Sequence, residues 1–223
     1  MKASVVIPYR NVDPIRHRNF NYVCNFWSTY FPEFEIVRCD SCDDKFSRSK
    51  SRNEGIDRAN GDFVIIADAD TIVPKDSIVT SLLHLRYTEA PSWVIAYQWY
   101  YNLTEERSKE VVKELHQSPP LPAEGQYDHK LESWAGMLVF PREALEVVRY
   151  DERFTGWGYE DNAFQIAADT LWGPFKRVGS HAMHLWHPAP HEQTFGNPDI
   201  LANRQLFRRY EHAKGNVRRM QKI

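Results

Sequence analysis

Two aspartates one residue apart, Asp68 and Asp70, close the apolar run Phe63-Val-Ile-Ile-Ala67. Flanked by Gly61 and by polar residues, this run predicts a strand buried on both faces. Ligands of an open α/β sheet bind outside the carboxyl ends of its strands, so both carboxylates stand where a ligand would. If extended backbone persists through Ala69, the period of two points them the same way, and converging oxygens suit a hard divalent cation. Taken alone, the same Asp-x-Asp reads first as a strand-end turn.

A second constellation is Gly156-Trp-Gly-Tyr-Glu-Asp161. Acids at a helix start are stabilised by its dipole, and capping alone would account for Glu160 and Asp161. The glycines around Trp157 ask for more, because they allow unusual backbone angles and close approach, and an exposed Trp between them suits stacking on a sugar ring. A third group is His181, His184, His187 and His191. Spacings of three and four would place imidazoles on one helical face for zinc, the signature of a hydrolase. Pro188 and Pro190 oppose a continuous helix there.

The elements that must position these groups alternate. Strands are expected at Ser4 to Ile7, Glu35 to Cys39 and Phe63 to Ala67, with helices at Pro14 to Tyr30 and Ser47 to Asn60 between them. Strand, helix, strand, helix, strand with short connections predicts a parallel sheet with right-handed crossovers. Pro74 opens a further helix, Trp93 to Tyr100 reads as one aromatic-rich strand, and Thr104 to His116 as a helix. In that aromatic strand the rings are expected in the core, with Trp99 and Tyr101 as the exceptions. Ser118 to Gly125 is a Pro-rich loop and a candidate lid. Trp134 to Phe140 is a strand, Pro141 starts a short helix, and a helix runs from the Glu160 region to Trp172. Short strands at 175–178 and 182–186 precede a final helix from Pro198 to Ala213.

The 223 residues carry a formal net charge of −2, which excludes nucleic-acid binding driven by bulk charge. Three cysteines, Cys24, Cys39 and Cys42, fit reduced thiols better than a disulfide framework or a zinc site. The apolar run at the start is too short for a signal peptide and no later run reaches transmembrane length, so a cytoplasmic chain is expected. Arg204, Arg208, Arg209, Lys214, Arg218, Arg219 and Lys222 make the last stretch basic. This reads as a solvated face, or as a peripheral contact with an anionic lipid surface or acidic acceptor.

Ser4-Val-Val-Ile-Pro-Tyr-Arg10, Asp40, Arg52-Asn53-x-Gly55, Gly61-Asp62, Asp68-Ala-Asp70 and Phe154-Thr-Gly-Trp-Gly-Tyr-Glu-Asp161 together resemble a GT-A fold glycosyltransferase. The amino half is similar to the large family 2 group. The Trp-Gly-x-Glu-Asp segment is similar to one shared by β-1,4-galactosyltransferases, chondroitin polymerases and polypeptide N-acetylgalactosaminyltransferases. The resemblance implies a single α/β domain over 1–195, a mostly parallel nucleotide-binding sheet flanked by helices. Residues 1–100 would form the nucleotide-sugar half, 101–195 the acceptor and catalytic half, and 196–223 a basic helical tail.

The activity so implied is transfer of a hexosyl or N-acetylhexosaminyl group from a nucleotide-sugar, UDP-linked donors being favoured, to a hydroxyl of a glycan or glycoconjugate. Mn²⁺ or Mg²⁺ would neutralise the leaving diphosphate. On this resemblance Asp70 ligates the metal, and Asp68, beside Ala69, reaches the ribose and the metal shell. Pro8, Tyr9, Arg10 and Asp40 line the base pocket, Arg52 and Asn53 lie near the nucleotide, and Gly136 lets the donor sugar approach. Trp157, Gly158 and Tyr159 meet the acceptor. Asp161 is the general base for inversion and Glu160 holds hydroxyls; the retaining N-acetylgalactosaminyltransferases have Asn where this chain has Asp161. A single histidine, His187 or His184, completes the metal site. Two other classes stay open: a nucleotidyltransferase, although Ser4 to Asp13 lacks a glycine- and basic-rich phosphate loop, and a non-catalytic sugar-binding module.

Overall fold

Six consecutive buried residues, Ala3–Pro8, form β1 at the centre of the amino half of a computed structural model that describes residues 1–44, 46–188 and 197–223. β1 pairs in parallel with β2 (Glu35–Cys39) on one side and with β3 (Phe63–Ala67) on the other. The helices between them are α1 (Pro14–Tyr30), capped by Asp13, and α2 (Arg48–Arg58), capped by Ser47. This half follows the sequence expectation closely, since β1 and β3 are short apolar runs, β2 carries Ile36 and Val37 at its centre, and each helix begins at a side-chain oxygen.

Beyond β3 come β4 (Thr71–Ile72), α3 (Lys75–Tyr87), β5 (Trp93–Ile95), β6 (Trp99–Leu103), α4 (Glu105–Val111), β7 (Tyr127–Leu131), β8 (Met137–Pro141) and α5 (Arg142–Val147). They are followed by α6 (Glu160–Leu171), β9 (Phe175–Arg177), β10 (His181–His184), α7 (Pro198–Ala213) and α8 (Val217–Met220). The main sheet has the order β2-β1-β3-β8-β5-β9; β8 alone runs against the other five strands, so the sheet is mostly parallel. A second sheet, β4-β10-β6-β7, stands beside it. Helix α2 packs on β1 and β2, and α3 packs on β5 and β8.

Four expectations need correction. The aromatic strand 93–100 is two strands in different sheets: Ala96 N donates to Met137 O at 3.1 Å, whereas Gln98 N donates to Ser180 O at 3.1 Å, so the chain changes sheets between them. Trp99 is 41% exposed, as expected, but Tyr101 is buried at 5%. The helix from Thr104 stops at Val111, after which the carbonyls of Glu114 and Leu115 accept from Tyr22 Oη and Tyr30 Oη of α1. Trp134 to Gly136 is a loop, and the strand begins at Met137.

The basic carboxyl-terminal segment packs back on α6 through α7 and α8. Tyr210, Ala213 and Met220 are buried, and Tyr210 Oη donates to Asp151 Oδ2 at 2.8 Å. Among the described residues no helix is long and apolar enough to cross a membrane. All three cysteines are free thiols.

Candidate active site

A cleft of about 790 Å³ opens at the carboxyl ends of β1 and β3. Pro8, Tyr9 and Arg10 leave β1 into it, and Asp68, Ala69 and Asp70 leave β3. Leu131 at the end of β7, the loop 132–135 and the start of α6, with Trp157 to Asn162, form other walls. The extended geometry expected through Ala69 does not persist: Ala69 and Asp70 lie in a turn, with Thr71 N donating to Asp68 O at 3.4 Å. The two aspartates therefore serve different neighbours.

Asp70 faces two imidazoles. Strand β10 runs antiparallel to β4, pairing His184 with Thr71, and Leu185 N donates to Asp70 O at 2.8 Å, which seats the histidine segment beside the turn. His184 Nε2 lies 3.5 Å from Asp70 Oδ1, and His187 Nε2 lies 3.3 Å from Asp70 Oδ2. One ligand atom from each of Asp70, His184 and His187 falls within 4.8 Å of the others, so the structure brings both candidate histidines to the aspartate instead of selecting one. Burial works to raise the Asp70 carboxyl, but His184, His187 and Arg16 beside it hold it well below the ordinary carboxylate range. Burial also pushes His184 down against the pull of Asp70, which keeps its lone pair available to a metal. One carboxylate and two imidazoles fit a first-row divalent ion. Among the described residues Asp68 is not part of this trio, His181 turns away to bond Pro119 O at 3.1 Å, and His191 lies outside the described residues.

Asp68 instead meets Arg52 of α2. The Arg52 side chain is only 2% exposed and bridges two acids, Nη2 to Asp68 Oδ1 at 2.9 Å and Nη1 to Asp161 Oδ1 at 2.7 Å. Its guanidinium also lies 4.8 Å from the centroid of the Tyr150 ring. A buried cation persists because it is paired, and breaking such a pair costs about 3–5 kcal/mol. Burial raises the Asp161 carboxyl to about 7, with Arg52 opposing and Glu160 and Asp68 adding to the rise. A carboxyl held there is suited to proton transfer near neutral pH.

Glu160 and Asp161 open α6. The preceding turn is built from left-handed residues, Gly156 (φ 64°), Gly158 (φ 108°) and Tyr159 (φ 72°), and leaves Trp157 40% exposed at the cleft. Tyr159 tolerates this backbone with its ring stacked on Phe207 of α7 at 5.2 Å. Glu160 Oε2 accepts from Gly158 N at 3.0 Å, and Glu160 Oε1 lies 3.7 Å from Arg48 Nη1.

Three expected donor residues sit differently. Asn53 does not line the cleft: its amide donates to Tyr150 O and Glu152 Oε1, both at 2.9 Å, and accepts from Tyr150 N at 3.0 Å. Asp40 lies behind Arg10, which it pairs at 2.5 Å, and its carboxyl is lowered chiefly by that hydrogen bond. Gly136 has φ 86°, and an added Cβ would lie 2.6 Å from Tyr100 Cε2, so it makes room for Tyr100. Arg16, Phe46, Arg48, Asn102, Trp134 and Ile200 also line the cleft without having been singled out by motif. Only their meeting in three dimensions marks them.

The family model described as Glycosyl transferase family 2 matches residues 43–148, from the loop after β2 to just past the end of α5. No curated protein matches the sequence significantly. Among solved structures, S. aureus TarS 1–349 in complex with UDP-GlcNAc superposes with a TM-score of 0.60 at 13% identity over 93% of this chain. The chain spans 65% of that TarS segment. Glucosyl-3-phosphoglycerate synthase from Mycobacterium tuberculosis, in complex with Mn²⁺, UDP-glucose and phosphoglyceric acid, gives a TM-score of 0.56 at 15% identity over 97% of this chain and 80% of its own. The chain thus has the GT-A glycosyltransferase fold, with a family 2 glycosyl transferase match over residues 43–148.

Proposed function

We propose that this protein moves a sugar from a nucleotide-sugar donor, UDP-linked by preference, to a hydroxyl of a glycan or glycoconjugate with inversion at the anomeric carbon. The observation that carries this reading is one cleft holding both a metal-competent trio, Asp70, His184 and His187, and a carboxyl raised to about 7, Asp161. The UDP-sugar complexes of the two similar structures support the donor class, and the Mn²⁺ complex supports a divalent ion. Imidazole ligands favour Mn²⁺ over Mg²⁺, and such an ion when bound neutralises charge on the departing diphosphate.

The residues of the chain supply the rest. Ionised Asp161 takes the proton of the acceptor hydroxyl as its oxygen bonds to the anomeric carbon, while the bond from that carbon to the phosphate oxygen breaks with its electron pair. Trp157 offers an aromatic face to the acceptor ring, and Glu160 orients hydroxyls beside it.

The test is incubation with Mn²⁺, a panel of nucleotide sugars and a panel of neutral glycans, with free nucleoside diphosphate measured. Acceptor-dependent release by the wild type, lost in Asp70→Ala, is the expected outcome. Pyrophosphate release from a nucleoside triphosphate would replace this reading by nucleotidyl transfer. Glycan binding with no turnover of any donor would leave a sugar-binding module.

A further inference from the structure

Arg16 stands against the metal trio with no assigned task. It belongs to the first turn of α1, where its backbone N donates to Asp13 Oδ1 at 2.9 Å, and its side chain lines the cleft. Its Nη2 reaches His187 Nδ1 at 2.9 Å, across a sequence separation of 171. The same Nδ1 lies 2.9 Å from the carbonyl oxygen of Pro188.

A neutral imidazole carries one proton on one of its two nitrogens, and a guanidinium can only donate. When Arg16 bonds Nδ1, that nitrogen offers its lone pair and the proton sits on Nε2, facing Asp70 Oδ2 at 3.3 Å. An ion held by the trio would take the Nε2 lone pair, so Nδ1 would then carry the proton. Arg16 would face it donor to donor. Pro188 O is the acceptor that this second tautomer requires, as a metal-bound histidine usually finds for its other nitrogen. The Arg16 bond and metal ligation through His187 Nε2 therefore exclude each other.

We propose that Arg16 is a diphosphate-binding residue of the transfer reaction, released from His187 when the ion is held and turned onto the leaving group of the donor. The inference rests on the glycosyl-transfer reading. The other arginines of the cleft pair with carboxylates that are not metal ligands of the trio: Arg52 with Asp68 and Asp161, Arg10 with Asp40 at 2.5 Å, and Arg48 with Glu160 at 3.7 Å, beside the Gly156 carbonyl at 3.3 Å. Among the described residues the ion pair of Arg16 is the one with Asp13, Nε to Oδ2 at 3.3 Å, which leaves Nη2 on His187. A planar guanidinium matches phosphate oxygens in pairs, which a point charge does not.

Calorimetric titration of the whole chain with Mn²⁺ alone, and then with UDP at saturating Mn²⁺, separates the outcomes. In Arg16→Met, Mn²⁺ affinity should be kept or rise, because His187 no longer gives up a hydrogen bond, while UDP affinity falls about 10- to 100-fold. Arg16→Lys should recover part of that loss, and it carries the test should the methionine variant not fold. UDP affinity within twofold of wild type in both variants overturns the inference, as does loss of Mn²⁺ together with UDP, which would make Arg16 a mere support of His187. If the wild type binds no UDP with Mn²⁺, the transfer reading has failed first and takes this one with it.

Discussion

Asp161 is governed by two opposed effects, and their balance has a measurable consequence. Burial disfavours its charge and Arg52 at 2.7 Å favours it, the net result being a carboxyl raised to about 7. A general base must be ionised, so kcat/KM is expected to fall as pH drops below that value, by about tenfold per unit on the acid limb. The limb should keep its position when Mn²⁺ is raised, since protonated metal ligands would be outcompeted by more ion. Asp161→Asn should retain UDP binding while turnover drops about 10²- to 10⁴-fold and the limb disappears. Near-normal transfer by that variant would mean that another group takes the proton. The residue types were legible early, because an Asp after Trp-Gly-x-Glu carries a resemblance. The raised carboxyl was not, since it comes from burial in the folded cleft, set against a cation from 109 positions away.

At the scale of elements, α2 shows how a polar sequence hides a buried face. Ser49, Ser51, Arg52 and Asn53 are buried in a helix whose one large apolar residue is Ile56, so its apolar pattern says little about which side packs. Gly55 sets how closely it approaches the sheet. A Cβ there would lie 2.4 Å from Val6 Cγ1 and 2.7 Å from Cys39 Sγ. Alanine in a helix gains about 0.5–1 kcal/mol over glycine, but overpacking of this kind costs about 1–3 kcal/mol. Gly55→Ala should therefore lower the urea midpoint, with Arg52 displaced and turnover reduced; a raised midpoint would refute the close packing. The second sheet was largely illegible for a related reason. β4 has two residues, and β7 reads Tyr-Asp-His-Lys-Leu with most of its residues exposed, so neither shows the alternation that marks a half-buried strand.

Across the whole molecule, the last helices brace the turn that carries Trp157, the side of the cleft proposed for the acceptor. Asn203 of α7 is buried; its amide donates to Thr155 O at 2.8 Å and to Trp157 O at 3.4 Å, and accepts from Thr155 N at 3.2 Å. Asn203→Ala would orphan that turn, at a cost of about 1–3 kcal/mol. The expected outcome is a lower thermal midpoint and a raised KM for the glycan acceptor, with UDP affinity in Mn²⁺ unchanged. A change in UDP affinity alone would contradict the division of the cleft.

The sequence by itself determined the parallel β1-β2-β3 half, the position of α1 and α2, and the chemical types at Asp70, Asp161 and the histidines. Those features follow from local patterns: short apolar runs, side-chain caps and motif order within neighbouring residues. Only the tertiary structure decided that Asp68 goes to Arg52, that both His184 and His187 meet Asp70, that Asn53 braces Tyr150, and that Arg16 abuts the site. Each of these is a contact between segments far apart in sequence, and pairings of that kind are set by sheet topology and packing, on which local spacing has no hold.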